Sequence, residues 1–190
     1  MRTKQRLTKA YNNARVESID ENSKYIFFSD CHRGDGSLSD EFAKNKNVFI
    51  HALEYYYKHG FVYVEVGDGD ELWEHRNAKH VITANKDVYT VIRKFHTDDR
   101  LIILYGNHNI YLKNQKYVVK NYYTYYSNYK EITRDFLKDL HPIEALVLRC
   151  KNTGQEILTV HGHQGDFSND QFWVFNMLSL KYFWRFLHSF

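Results

Sequence analysis

Residues 26–36 read IFFSDCHRGDG, a run of apolar side chains that passes directly into Asp30, His32 and Asp35 with two glycines around them. A short apolar run bounded by Gly and Asp has the length and ending of a buried strand, and the carboxyl end of a strand is where an α/β sheet places ligand-binding groups. Asp30 and His32 are ligand types for divalent cations. Taken alone, the stretch fits an ordinary polar turn equally well, so the reading depends on whether the pattern recurs.

It recurs three times. FVYVEVGDGDE (61–71) alternates apolar residues at Val62, Val64 and Val66 before ending at Asp68, Asp70 and Glu71. RLIILYGNHN (100–109) runs through Leu101–Leu104 into Asn107, His108 and Asn109, and EILTVHGHQGD (156–166) ends in His161, His163 and Asp166. Between the first two runs, Phe42, Val48, Phe49, Ala52, Leu53 and Tyr56 lie mostly at three- and four-residue spacing and stop at Gly60, a helix with a glycine cap. A second helical stretch over about 84–97 buries Val88, Val91, Ile92 and Phe95. Strand, helix, strand at this spacing is the βαβ unit, whose right-handed crossover makes successive strands parallel and gathers their carboxyl ends on one edge.

The remaining segments carry less signal. Residues 1–23 read as a weak helix or arm, NYYTYYSNY (121–129) as a surface segment, and EITRDFLKDL (131–140) as a short helix before Pro142. IEALVLRC (143–150) and the 156–160 run flank KNTG, whose Asn and Gly favour a hairpin turn.

Composition bounds the function classes. A chain of 190 residues fits one domain, 1–190, with a sizeable core. Lys plus Arg number 26 against 23 Asp plus Glu, so no dedicated nucleic-acid-binding charge is evident. Cys31 and Cys150 have no CxxC spacing and the N-terminus has no signal-peptide pattern, which fits a reducing, cytoplasmic setting. No apolar stretch approaches the roughly 20 residues a membrane span requires. The aromatic stretch 172–190 would suit a membrane surface, although a packed helix explains it better.

Carboxylates, an amide oxygen and imidazoles without a cysteine cluster suit Mn2+, Fe2+ or Zn2+ in mixed nitrogen and oxygen coordination. A carboxylate such as Asp68 can bridge two ions, and two ions about 3.5–4 Å apart can clamp a phosphoryl ester and make hydroxide available near neutral pH.

DCH (30–32), GDGDE (67–71), GNHN (106–109) and HGH (161–163) resemble, in order and spacing, the successive motifs of the calcineurin-like metallophosphoesterases. The nearest likeness in motifs is to the small bacterial branch that includes the UDP-2,3-diacylglucosamine hydrolases. The resemblance implies an α/β fold, a two-sheet β-sandwich flanked by helices in a four-layer αββα arrangement. It implies two divalent ions, Mn2+ first, with Asp30 and His32 on one, Asp68 bridging, and Asn107 with His161 on the other. His108 would meet the phosphate or protonate the leaving oxygen of a phosphorylated substrate, as Asp68 and the ions hold the attacking hydroxide. Arg33, Glu71, Asn109, His163 and Asp166 are expected in support of the ligands or against substrate.

Two departures from the family pattern shape the expectations. The GHxH segment that usually follows the fourth motif does not occur before Phe190, so the family pattern predicts further chain beyond it. The alternative is a catalytically inactive or incomplete domain serving as a binding or scaffold module. Asn109 also stands where the family commonly has Asp or Glu to orient the preceding histidine. An amide accepts that hydrogen bond but supplies no charge to an imidazolium.

Overall fold

The structure, a computed structural model, describes residues 3–127 and 132–165. The first 23 residues are two elements rather than one arm: helix α1 (Thr3–Asn12) and strand β1 (Arg15–Ile19). β1 pairs in parallel with a strand more than 120 residues later, a partner that no local pattern reveals.

The apolar runs form β2 (Tyr25–Phe28), β3 (Val62–Val66) and β4 (Leu101–Leu104), hydrogen-bonded in the order β2-β3-β4 and parallel throughout. The crossovers carry α2 (Lys46–Lys58), then α3 (Ala78–Ala84) and α4 (Lys86–Thr97). Gly60 takes φ +77°, the left-handed turn that ends α2 and that glycine adopts at least cost. Beyond β4 lie α5 (Gln115–Tyr122) and an antiparallel hairpin of β5 (Thr124–Ser127) and β6 (Ile132–Asp135). This corrects two expectations. The 131–140 segment begins as a strand, because its β-branched Ile132 and Thr133 pair with Ser127 and Tyr126, and only a turn follows before Pro142. The tyrosine-rich 121–129 segment is in part interior, with Tyr122, the last residue of α5, buried.

β7 (Ala145–Cys150) and β8 (Glu156–Val160) form the expected hairpin around KNTG, and β1 adds to β7 to give the mixed sheet β1-β7-β8. The chain is therefore α/β, with five α-helices and three small sheets among the described residues.

Period-two alternation in β3 sets up two cores. Tyr63, with Ile103 of β4, faces α2 and α4 and packs among Leu53, Ile92 and Phe95. Val64, Ile102 and Leu104 face the opposite way and pack with Leu146 and Leu148 of β7. A parallel bridge joins Leu104 to Ile143, whose N–H and carbonyl meet Ile103 and Tyr105. No helix among the described residues is long and apolar enough to cross a membrane.

Candidate metal centre

Three parallel strands end side by side, and the loops that leave them are stitched together. The N–H of Asp30 donates to the Gly67 carbonyl at 3.2 Å, His32 to Asp68 at 2.9 Å and Arg33 to Gly69 at 2.9 Å, while Glu71 donates back to Arg33 at 3.0 Å. Asp30, His32 and Asp68 all have positive φ, 53°, 47° and 50°. Left-handed backbone costs a non-glycine residue free energy and clusters where function over-determines geometry. Only five non-glycine residues have positive φ among the described ones, and three of them are expected ligands.

The loops line a cleft of about 350 Å3 bounded by Asp30, His32, Asp68, Asn107, His108, His161, Gly162 and His163. All five expected metal ligands and the expected acid are therefore brought together. Asp68 is central. One carboxylate oxygen accepts the His108 N–H at 2.8 Å and the other lies 3.0 Å from His161 Nε2, which also lies 3.1 Å from Asn107 Oδ1. Two triads converge on it, His32 with His108 and Asp30 with His161, each with ligand atoms within 4.8 Å of one another. The pairing differs from the expected one, in which Asp30 and His32 share an ion, although His32 Nε2 does come within 3.9 Å of Asp30 Oδ1.

Glycine makes this approach possible. A Cβ on Gly106 would meet Asp68 Oδ1 and the His161 ring, and one on Gly67, which has φ +76°, would meet the same ring.

The orientation of the imidazoles fits cation binding. His161 Nδ1 lies 3.0 Å from the Val66 carbonyl, and Nδ1 of His32 and of His108 lie 2.9 and 2.7 Å from one oxygen of Glu71. A carbonyl or an ionised carboxylate only accepts, so Nδ1 carries the proton in each ring and Nε2 is the nitrogen available to a ligand. Burial would raise the Glu71 pKa, but hydrogen bonds from His108 and His32 and their charge hold it at about 2. Asp68 is likewise lowered: burial raises it, and the hydrogen bond and charge of His161 outweigh that. His32 and His161 move up, because burial's downward pull is outweighed by Glu71 for one and by Asp68 for the other. Opposite charges facing across a cleft in this way are what a bound cation would reorganise.

The supporting residues divide sharply. Glu71, not Asn109, orients His108: the Asn109 side chain is fully buried and its Oδ1 accepts the Gly106 N–H at 2.6 Å. Trp73 completes the hold on His108, stacking on its ring at 3.9 Å between centroids and 16° between planes while its Nε1 donates to the Asn107 carbonyl. The expected neighbour His163 lines the cleft, is 8% exposed, and has a buried Nδ1 with no partner among the described residues. Burial and the His161 charge push its pKa down to about 4, so near neutral pH it is an uncharged imidazole with a nitrogen left over. Asp166 lies outside the described residues. Cys31 is a half-buried spacer whose thiol is pushed up to about 12, chiefly by burial, which leaves it inert as a nucleophile near neutral pH.

Arg33 does not line the cleft. It is 1% exposed and spends its guanidinium below the loops, on Glu65 at 2.6 and 2.8 Å and on Asp70 at 2.8 Å. Tyr63 donates to Glu65 at 2.7 Å, and Tyr89 and Tyr122 donate to Asp70 at 2.5 and 2.6 Å. Of its two expected roles, support of the site is therefore the one its position allows. Glu65 and the three tyrosines did not figure among the expected site residues; the one available signal was a lone carboxylate in the apolar strand VYVEV.

No family model, curated protein or solved structure matches this chain.

Proposed function

We propose that the protein is a metal-dependent phosphoesterase whose cleft holds two divalent cations about a shared Asp68, with Mn2+ the first candidate and Fe2+ or Zn2+ the next. The observation that carries this reading is the convergence of two ligand triads on one buried carboxylate, with the imidazoles anchored through Nδ1. His32 on one side, and Asp30 and His161 with Asn107 on the other, are the remaining holders. Bound ions at this position supply Lewis acidity to a phosphoryl oxygen and acidify a water for attack.

The chain's own residues do the rest. Glu71 keeps the His108 ring turned and its carboxylate charge supports the imidazolium, the form whose Nε2–H can pass to the leaving oxygen, and Trp73 limits the rotation of the ring. Positive φ at Asp30, His32 and Asp68, locked by loop-to-loop hydrogen bonds, holds the ligands before any ion arrives. The finer architecture belongs to the same proposal. A four-layer αββα arrangement is supported by the apolar contact of Val64, Ile102 and Leu104 with Leu146 and Leu148, and by the helices on the other face of β3.

The test is hydrolysis of bis(p-nitrophenyl) phosphate by the full chain with and without Mn2+, alongside Asp68→Asn. Turnover that needs the metal and falls at least 100-fold in the variant is expected. A chain that binds metal stoichiometrically and never turns over is a sensing or storage site rather than an enzyme.

A further inference from the structure

Four imidazoles line the metal cleft, and three of them are anchored: His32, His108 and His161 each set Nδ1 against an oxygen acceptor. His163 is the exception. It is 8% exposed, and neither of its ring nitrogens hydrogen-bonds a described residue, with Nδ1 shielded from solvent. Whatever its charge, an imidazole carries at least one N–H, so this burial withdraws a donor from water without giving it an acceptor.

The segment that carries the ring is nevertheless pinned. The Gly162 N–H donates to Gln164 Oε1 at 3.3 Å, and buried Gln164 donates through Nε2 to Glu144 at 3.4 Å. The other oxygen of Glu144 accepts from the Tyr105 hydroxyl at 3.2 Å. His163 is thus held in place by its neighbours, while its own polar atoms stay unused.

A buried water satisfies many orphaned atoms of this kind, and two features separate His163 from that case. The ring lines the cleft on the His161 side, with the two centroids 5.6 Å apart. Its nitrogens nevertheless join neither ligand triad, whose atoms lie within 4.8 Å of one another. A donor beside the ion positions but outside both ligand sets is placed to meet what the ions hold rather than the ions themselves.

We infer that His163 contacts the substrate, giving its free N–H to a non-esterified oxygen of a phosphoryl group in the cleft; the inference rests on the phosphoesterase proposal. His108 belongs to the other triad, so the two imidazoles divide the work, His108 serving the leaving oxygen and His163 an oxygen that stays. A donor fixed before the anion arrives loses little on binding it.

The probe is inorganic phosphate, titrated by calorimetry into the Mn2+-loaded full chain and into His163→Phe and His163→Gln of unchanged circular dichroism. The first variant keeps a ring and removes both nitrogens, and the second keeps an N–H. Mn2+ stoichiometry and affinity are expected to hold in both variants. Phosphate affinity is expected to fall about ten-fold or more in His163→Phe, the scale of one hydrogen bond to a charged group, and less in His163→Gln. Lost Mn2+ binding in the variants overturns the inference, because it makes His163 a cation ligand. Metal-dependent turnover by the wild type with phosphate affinity unchanged in both variants overturns this inference alone. A wild type that binds no Mn2+ or never turns over overturns the phosphoesterase proposal and this inference with it.

Discussion

One carboxylate oxygen, Oε2 of Glu71, lies 2.9 Å from Nδ1 of His32 and 2.7 Å from Nδ1 of His108. The two rings meet edge to face with centroids 4.5 Å apart, so a single side chain fixes the tautomer and angle of both. It supplies the charge that Asn109, buried and turned toward Gly106, does not. In the ion-free protein Glu71→Gln is expected to lower the His32 pKa, because Glu71 is the main group that offsets burial there. Removing such a partner from a metal-binding histidine typically costs about 10- to 100-fold in metal affinity or activity. NMR titration of the His32 ring and a metal-binding isotherm check this, and an unmoved His32 titration contradicts it.

Beneath the same loops, Arg33 lies between Glu65 and Asp70 with all three side chains buried. Removing one member of a buried ionic set strands the others without compensation, at a cost of about 3–5 kcal/mol. Arg33→Met is therefore expected to lose stability on that scale in urea denaturation, leaving two buried carboxylates facing only tyrosine hydroxyls. A loss under about 1 kcal/mol, the scale of an exposed pair, contradicts the assignment.

His163 gives a pH signature. Its pKa is about 4 in the folded chain and about 6.5 when unfolded, so between those values the unfolded state holds the extra proton and the native state loses stability as the pH falls. At about 1.4 kcal/mol per pKa unit the full loss approaches about 3 kcal/mol. His32 and His161 contribute with the other sign, since their raised pKa values add stability below about 6.5 that is lost as the pH rises through the folded values. Comparing the wild type with His163→Gln isolates the one group. In EDTA the stability difference between them should shift steadily in favour of the variant from pH 7 to pH 4, and parallel curves contradict the prediction.

The parallel sheet and the cleft were legible because each depends on local pattern: an apolar run that ends in a cluster of glycine and ligand-type residues, four times in order. Asp30, His32, Asp68, Asn107, His108 and His161 all follow from it. What escaped depends on tertiary pairing. β1 has a mixed sequence, RVESI, and becomes a strand only because β7 offers it a free edge. β6 reads like a helix in ITRDFLKDL until the pairing of Ile132 and Thr133 with β5 decides otherwise. Arg33 looked like a substrate ligand because it follows Asp30 and His32, two expected ligands, in sequence. Its side chain leaves on the opposite side of the loop, and nothing local to residues 30–36 indicates that Glu65 waits below.

The central claim, that Asp68 is shared by two cations, is tested most directly by counting them. Elemental mass spectrometry of the full chain, equilibrated with Mn2+ and desalted, should give two ions per wild-type chain and one or none in Asp68→Asn of unchanged fold. One ion per wild-type chain, or two retained in the variant, would contradict it.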